Sequence, residues 1–236
     1  RLASSWVEKF RTEGETVAVL NHPNIVPVFD MGETEEFLFI VMQLIAGMDL
    51  RTIIQRLHRH PVPSRRIMPK KDAIGIMIAV LDALGYAHSQ QVIHQDVKPA
   101  NIIIEERTGR PYLVDFGIAR TIFSEQGVSR VISGTPLYMA PEQAAGQQTD
   151  ARADIYSAGM VLYETVCGTV PVKALNSEQM IKEKILDPDS IFLCNPSQHC
   201  PAIDSELEKI ICKAIASDPS MRYQDCTGFK EDLLGY

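Results

Sequence analysis

His94-Gln95-Asp96-Val97-Lys98-Pro99-Ala100-Asn101, with Asp115-Phe116-Gly117 downstream of it, is the part of the chain around which the rest can be read. Each segment follows a short apolar run: Val92-Ile93 before the first and Tyr112-Leu113-Val114 before the second. Ile102-Ile103-Ile104 lies between them, and Gly109-Arg110-Pro111 supplies a turn. Short apolar runs bounded by turn residues predict strands. The order is then strand, polar loop, strand, turn, strand, polar loop, which brings Asp96, Lys98, Asn101 and Asp115 to one rim.

Those residue types in that order suit phosphoryl transfer. Oxygen ligands from Asp and Asn fit magnesium, a hard cation that keeps several of its waters. A carboxylate beside an attacking hydroxyl orients it and accepts its proton. An ammonium neutralises charge on the transferring phosphate. Any one of the four would suit an ordinary polar turn; the joint pattern is what points to chemistry.

The composition is that of a globular protein. The chain has 236 residues, a formal charge of -7 and a sequence pI near 5.4, which argues against general nucleic-acid binding. No uninterrupted apolar run approaches the ~18 residues of a membrane helix. The first residues, Arg1-Leu2-Ala3-Ser4-Ser5-Trp6, lack a signal-peptide apolar region. Five scattered cysteines, Cys167, Cys194, Cys200, Cys212 and Cys226, read as reduced thiols of a cytoplasmic setting. Cys194, His199 and Cys200 match no standard zinc spacing.

Along the chain, Trp6, Phe10, Glu13, Val17 and Leu20 recur at helical steps, which places a carboxylate on an inward apolar face and asks for a buried partner. Asn21-His22-Pro23-Asn24 ends that helix. Ile25 to Met31 and Phe37 to Leu44 predict a hairpin, and Leu50 to Leu57 a short helix. A basic, solvated loop from Arg56 to Lys71 follows, and then a buried helix over Lys71 to Gln90. The long segment from Asp115 to Glu142 closes on Gly134-Thr135-Pro136-Leu137-Tyr138-Met139-Ala140-Pro141-Glu142; a loop of that length in a compact domain is usually functional. Asp154 to Cys167 is apolar on nearly all sides and predicts a central buried helix. Asn176 to Lys184, Ser205 to Ala216 and Asp225 to Leu234 predict further helices.

Taken together, these motifs resemble a eukaryotic-like protein Ser/Thr kinase domain. The resemblance implies an α+β, protein kinase-like bilobal fold with a partial small lobe (residues 1–45) and a complete, mainly helical large lobe (46–236). It implies that Asp96 is the catalytic base, that Lys98 contacts the γ-phosphate of ATP, and that Asn101 and Asp115 hold Mg2+. Thr135 matches the threonine that bonds the catalytic Asp and Lys in Ser/Thr kinases, and the substrates would be proteins with Ser or Thr acceptors. Nucleotide binding would fall to the hinge, with Met42 as gatekeeper and Gln43 and Ile45 on adenine, to Asp49 on the ribose, to Ile103, and to Glu13, the glutamate that pairs a strand lysine. Asp154 would accept backbone N–H groups of the catalytic loop, and Arg222 would pair with Glu142.

Two departures stand out. Gln95 occupies the family's usual Arg position, which implies little dependence on phosphate at Ser124, Ser129 or Ser133. The chain also begins at the small-lobe helix, so the Gly-rich loop and the lysine are expected upstream of Arg1. Residues 1–236 alone are expected to transfer phosphate poorly, and Val28, Phe37 and Phe39 to be exposed. A genuine lack of the lysine would favour a pseudokinase scaffold. A small-molecule phosphotransferase is disfavoured by the Ala-Pro-Glu segment and by Asp154 on such a helix.

Overall fold

The computed structural model describes residues 4–34, 37–116 and 136–236. Helix α1 (Ser4–Ala18) packs on an antiparallel hairpin of β1 (Val28–Glu33) and β2 (Leu38–Met42). Phe10 is the buried centre of this unit, with Val17, Met31, Leu38 and Ile40 around it. In β2 the period-two alternation places Leu38, Ile40 and Met42 inward and Phe39 and Val41 outward. Phe37 and Phe39 are exposed as expected, but Val28 is half-buried and Phe29 lies outside instead. The cause is a register shift between Val28 and Asp30, which turns the strand by one residue.

The hairpin is tied to the rest of the molecule by backbone bonds. Leu113 donates to Asn24 O at 2.8 Å, and Val26 donates to Leu113 O at 3.0 Å. Leu113 belongs to a second sheet, ordered β3 (Gly47–Asp49), β4 (Ile102–Glu105), β5 (Pro111–Leu113), antiparallel throughout. Strand β3 is not visible in the sequence pattern, which predicts no strand between Leu44 and Leu50. A Cβ at Gly47 would lie 2.1 Å from Ile104 O, so only glycine permits this pairing. Val92-Ile93 is a correction to the sequence reading, since it forms no strand. The Val92 N–H is spent on Ala87 O at 2.9 Å and the His94 N–H on Asp154, so neither enters a ladder.

The remainder is helical: α2 (Leu50–His58), α3 (Lys70–Ser89), α4 (Pro141–Ala144), α5 (Ala151–Cys167), α6 (Ser177–Leu186), α7 (Pro196–His199), α8 (Ser205–Ala214) and α9 (Cys226–Gly235). Helix α5 is the axis, buried along nearly its whole length and packed against α3 and α8. It starts one turn before the expected position because Asp150 caps it, accepting from Arg152 N at 2.9 Å. It stops at Gly168, whose φ of +77° provides the left-handed turn. At Gly159 a side chain would strike Ala214 Cβ at 2.7 Å, which explains how closely α8 approaches. Among the described residues no helix is long and apolar enough to cross a membrane.

One ion pair locks α4 to the segment before α9. Arg222 donates to both oxygens of Glu142, at 2.7 and 2.9 Å. Its other N–H groups reach Ala216 O at 2.7 Å, Arg152 O at 3.1 Å and Ser217 O at 3.0 Å. All five guanidinium donors are thus used on a side chain that is 0% exposed. Removing one partner of such a pair strands a buried charge, so Arg222→Met should lower stability by about 3–5 kcal/mol in urea unfolding. The double change Arg222→Met with Glu142→Leu should recover much of the loss. A single mutant as stable as the wild type would show that the pair does not lock this junction.

Candidate active site

The rim begins with one buried carboxylate. Asp154, in the first turn of α5, is 0% exposed. Its Oδ2 accepts from His94 N at 2.8 Å and from His88 Nε2 at 2.8 Å, and its Oδ1 accepts from Gln95 N at 2.8 Å. Two consecutive amides of the loop therefore end on one side chain, as the sequence reading expects. His88, near the end of α3, is a contributor that the sequence reading misses; its other ring nitrogen meets Cys226 Sγ at 3.6 Å.

Gln95 has φ +64°, a left-handed conformation that costs a non-glycine residue roughly 1–2 kcal/mol. It is held from both sides. Its N–H is on Asp154, and its carbonyl accepts from Gln143 Nε2 at 3.1 Å. Gln143 also accepts Ala140 N at 3.0 Å, so α4 is fastened to the loop through one amide side chain.

The turn at Gln95 presents Asp96. Its Oδ2 accepts from Lys98 Nζ at 2.6 Å and from Asn101 Nδ2 at 3.1 Å. Asn101 also donates to Asp96 O at 2.9 Å. The side-chain amide thus spends its donors on Asp96, which leaves Oδ1 as the atom suited to a cation. Asp115 has φ +57°, a left-handed position that Asp tolerates better than most residues, and it is exposed. Asp96, Lys98 and Asn101 are thus brought together directly, and Asp115 follows β5, the strand paired with β4 beside them. The donor set of carboxylate and amide oxygens fits Mg2+.

His94 sets the floor. It is fully buried, its Nε2 donates to Val114 O at 3.0 Å, and its Nδ1 accepts from Asp96 N at 3.3 Å. That pair of roles requires the neutral ring. Its face lies 4.5 Å from Phe116. Above the loop, Val26, Ile45 and Val114 form a small apolar cluster with Met42, Ile103 and Tyr112 against it. Met42, Ile45 and Ile103 therefore share one apolar surface. Gln43 N donates to Pro27 O at 2.9 Å, which extends the hairpin pairing to the end of β2. Asp49 caps α2, with both oxygens engaged by Thr52 at 2.8 and 2.6 Å. The side chains of Glu13 and Trp6 lie outside the described part of the structure, as do the whole residues Ser124, Ser129, Ser133 and Thr135.

Burial holds the His94 pKa below its ordinary value of 6.5, against the opposing pull of Asp154 and Asp96. The native state then binds fewer protons than the unfolded chain below that value. The stabilisation is complete above pH 6.5 and is lost as pH falls through the window down to the folded-state pKa, by up to ~1.36 kcal/mol per unit. Thermal unfolding of wild type and His94→Gln over this range should show a steeper acid loss in the wild type. Parallel curves would contradict the neutral buried ring.

This geometry has close relatives. The sequence profile of the protein kinase domain matches residues 2–232. The serine/threonine-protein kinase PknB of Mycobacterium leprae (strain TN) is 37% identical over 236 residues, covering 98% of this chain and 36% of its own length. A probable serine/threonine-protein kinase PknB of Bifidobacterium longum (strain NCC 2705) is 35% identical, covering 98% of this chain and 33% of its own length. The chain spans about a third of the length of these curated relatives. The crystal structure of the Mycobacterium tuberculosis PknI kinase domain superposes with a TM-score of 0.75 at 28% identity, over 99% of this chain and 80% of the other. By its sequence and its α+β, two-lobed architecture, the chain belongs to the protein kinase domain family.

Proposed function

We propose that the protein carrying this chain transfers the γ-phosphoryl of Mg-ATP to Ser or Thr hydroxyls of protein substrates. The observation that carries this reading is the Asp96–Lys98–Asn101 constellation on a loop pinned by Asp154. A binding module has no chemical need for a carboxylate, an ammonium and an amide held in mutual contact at a strained turn.

In this reading the acceptor oxygen attacks the γ-phosphorus and its proton passes to Asp96. The bond from the γ-phosphorus to the β,γ-bridging oxygen breaks, and ADP leaves. Lys98 neutralises charge on the transferred group. Asn101 and Asp115 would hold Mg2+, which when bound screens the phosphate charge. Met42, Ile45 and Ile103 would face adenine, with Gln43 contributing its backbone in the hinge and Asp49 reaching the ribose. Glu13 would hold a phosphate-gripping lysine, and Thr135 would bond Asp96 and Lys98. The five unpaired cysteines support a reducing, cytoplasmic setting for the reaction.

In the full-length protein, Asp96→Asn should cut transfer by ~10²-fold or more, the range a positioned base contributes. Near-normal turnover would remove Asp96 from that role. Phosphoamino-acid analysis of the labelled product should show phosphoserine or phosphothreonine. Predominant phosphotyrosine would overturn the acceptor class.

A further inference from the structure

The stretch from Leu50 to Lys71 carries seven Lys and Arg residues and no Asp or Glu, in a chain that has 23 cations against 30 acids. Lys70 is answered by Asp204 at 3.0 Å. Among the described residues no ion pair reaches Arg56, Arg59, Arg65, Arg66 or Lys71, and all five are exposed. Arg56 and Arg59 have an ordinary use, since a cation is favoured at the C-terminal end of a helix such as α2. That use does not extend to the others. Lys71 stands in the first turn of α3, where the helix dipole disfavours a cation and no side chain caps the amides. Arg65 and Arg66 lie between the two helices, next to each other.

The backbone that carries these charges is fixed. Arg65 N donates to Val62 O at 3.0 Å and Arg66 N to Pro63 O at 3.1 Å, which closes a single 3-10 turn. Arg66 Nε donates to His60 O at 2.9 Å and folds this turn back on the end of α2. Pro61, Pro63 and Pro69 restrict the chain, and Met68 is buried beneath it. A Cβ at Gly168 would lie 3.8 Å from both Arg66 O and His58 Nδ1, so the segment rests on the end of α5. Val62 and Ile67 are exposed among the cations, at 44% and 39%.

We propose that this face docks a short acidic segment of a partner polypeptide. Its carboxylates meet Arg56, Arg59, Arg65, Arg66 and Lys71, and an apolar side chain among them covers Val62 and Ile67. Four of the five cations are guanidiniums, whose fork of donors matches a carboxylate. Charge also limits the length of the occupant. Asp49 and Asp72 flank the patch, and the rest of the chain holds all 30 acids. The field of an exposed charge fades over about 8 Å at physiological salt. A short peptide therefore feels the patch alone, whereas a nucleic-acid duplex or an anionic bilayer brings the acidic remainder within range. The docking uses none of the groups around Asp96, so it stands or falls apart from the phosphotransfer reading.

The test measures anisotropy of a fluorescein-labelled peptide, glutamates around a central leucine, on the full-length protein near physiological ionic strength. Arg65→Glu with Arg66→Glu should weaken binding by about 10-fold or more, since like charges then face each other. Arg107→Glu with Arg110→Glu makes the same charge change on the exposed turn between β4 and β5, and affinity should stay within about 2-fold. Unchanged affinity in the first variant, an equal loss in the second, or no binding by the wild type would overturn the inference. If the first variant does not fold, Arg56→Gln with Arg59→Gln decides by the same criterion. Vesicles of phosphatidylserine and phosphatidylcholine serve as the counter-probe. A wild type that sediments with them and leaves the peptide free has a membrane-binding face here, which also overturns the inference.

Discussion

The structure depends on the Asp154 carboxylate being buried and yet fully answered. A buried carboxylate with nothing to bond would cost several kcal/mol. Here it collects donors from three places: the His94 amide, the Gln95 amide and the His88 ring. Charge-assisted bonds of this kind are about twice as strong as neutral ones. Two of the donors are consecutive in the loop, so the carboxylate specifies a backbone conformation as well as a position. The left-handed turn at Gln95 is the consequence, and that turn directs Asp96 toward Lys98 and Asn101. Strain at such a site persists only where the surroundings over-determine it. Asp154 on one side of Gln95 and Gln143 on the other do so.

The same logic extends outward by polar side chains that each serve two elements. Gln143 joins α4 to the loop, Arg222 joins α4 to the approach to α9, and Lys184 and Ser157 join α6 and α5 to the backbone carbonyls of Leu137, Tyr138 and Met139. Tyr156 lies under two of these cations, with Arg222 at 5.0 Å and Lys184 at 4.9 Å from its ring. Helix α5 is therefore both the apolar axis of the large lobe and the platform on which the polar supports converge.

Much of this was legible in the residues. The Asp-x-Lys-x-x-Asn spacing, the apolar runs around it and the all-round apolar helix carrying Asp154 lead to the observed loop, and the Arg222–Glu142 pair follows from the family resemblance. What was not legible has physical causes. Val92-Ile93 has the composition of a strand, but its amides are claimed elsewhere, which no local pattern reveals. The bulge that exchanges Val28 for Phe29 on the outer face depends on pairing register, not on either residue's preference. Lys184 was within reach: it stands in helical phase with Met180 and Ile181, the same signal that singles out Glu13. His88 and Gln143 are harder, since a helix-end His and an amide on a one-turn helix are ordinary at the sequence level.

The most direct test of the organising role of Asp154 is hydrogen exchange on the full-length protein with Asp154→Asn. An asparagine keeps the shape but removes the charge and substitutes a donor for one acceptor. The account predicts that the amides of His94 and Gln95 lose protection by roughly 10-fold or more, while those of α8 (Ser205–Ala214) keep theirs. Unchanged protection at His94 and Gln95, or an equal loss throughout the large lobe, would contradict it.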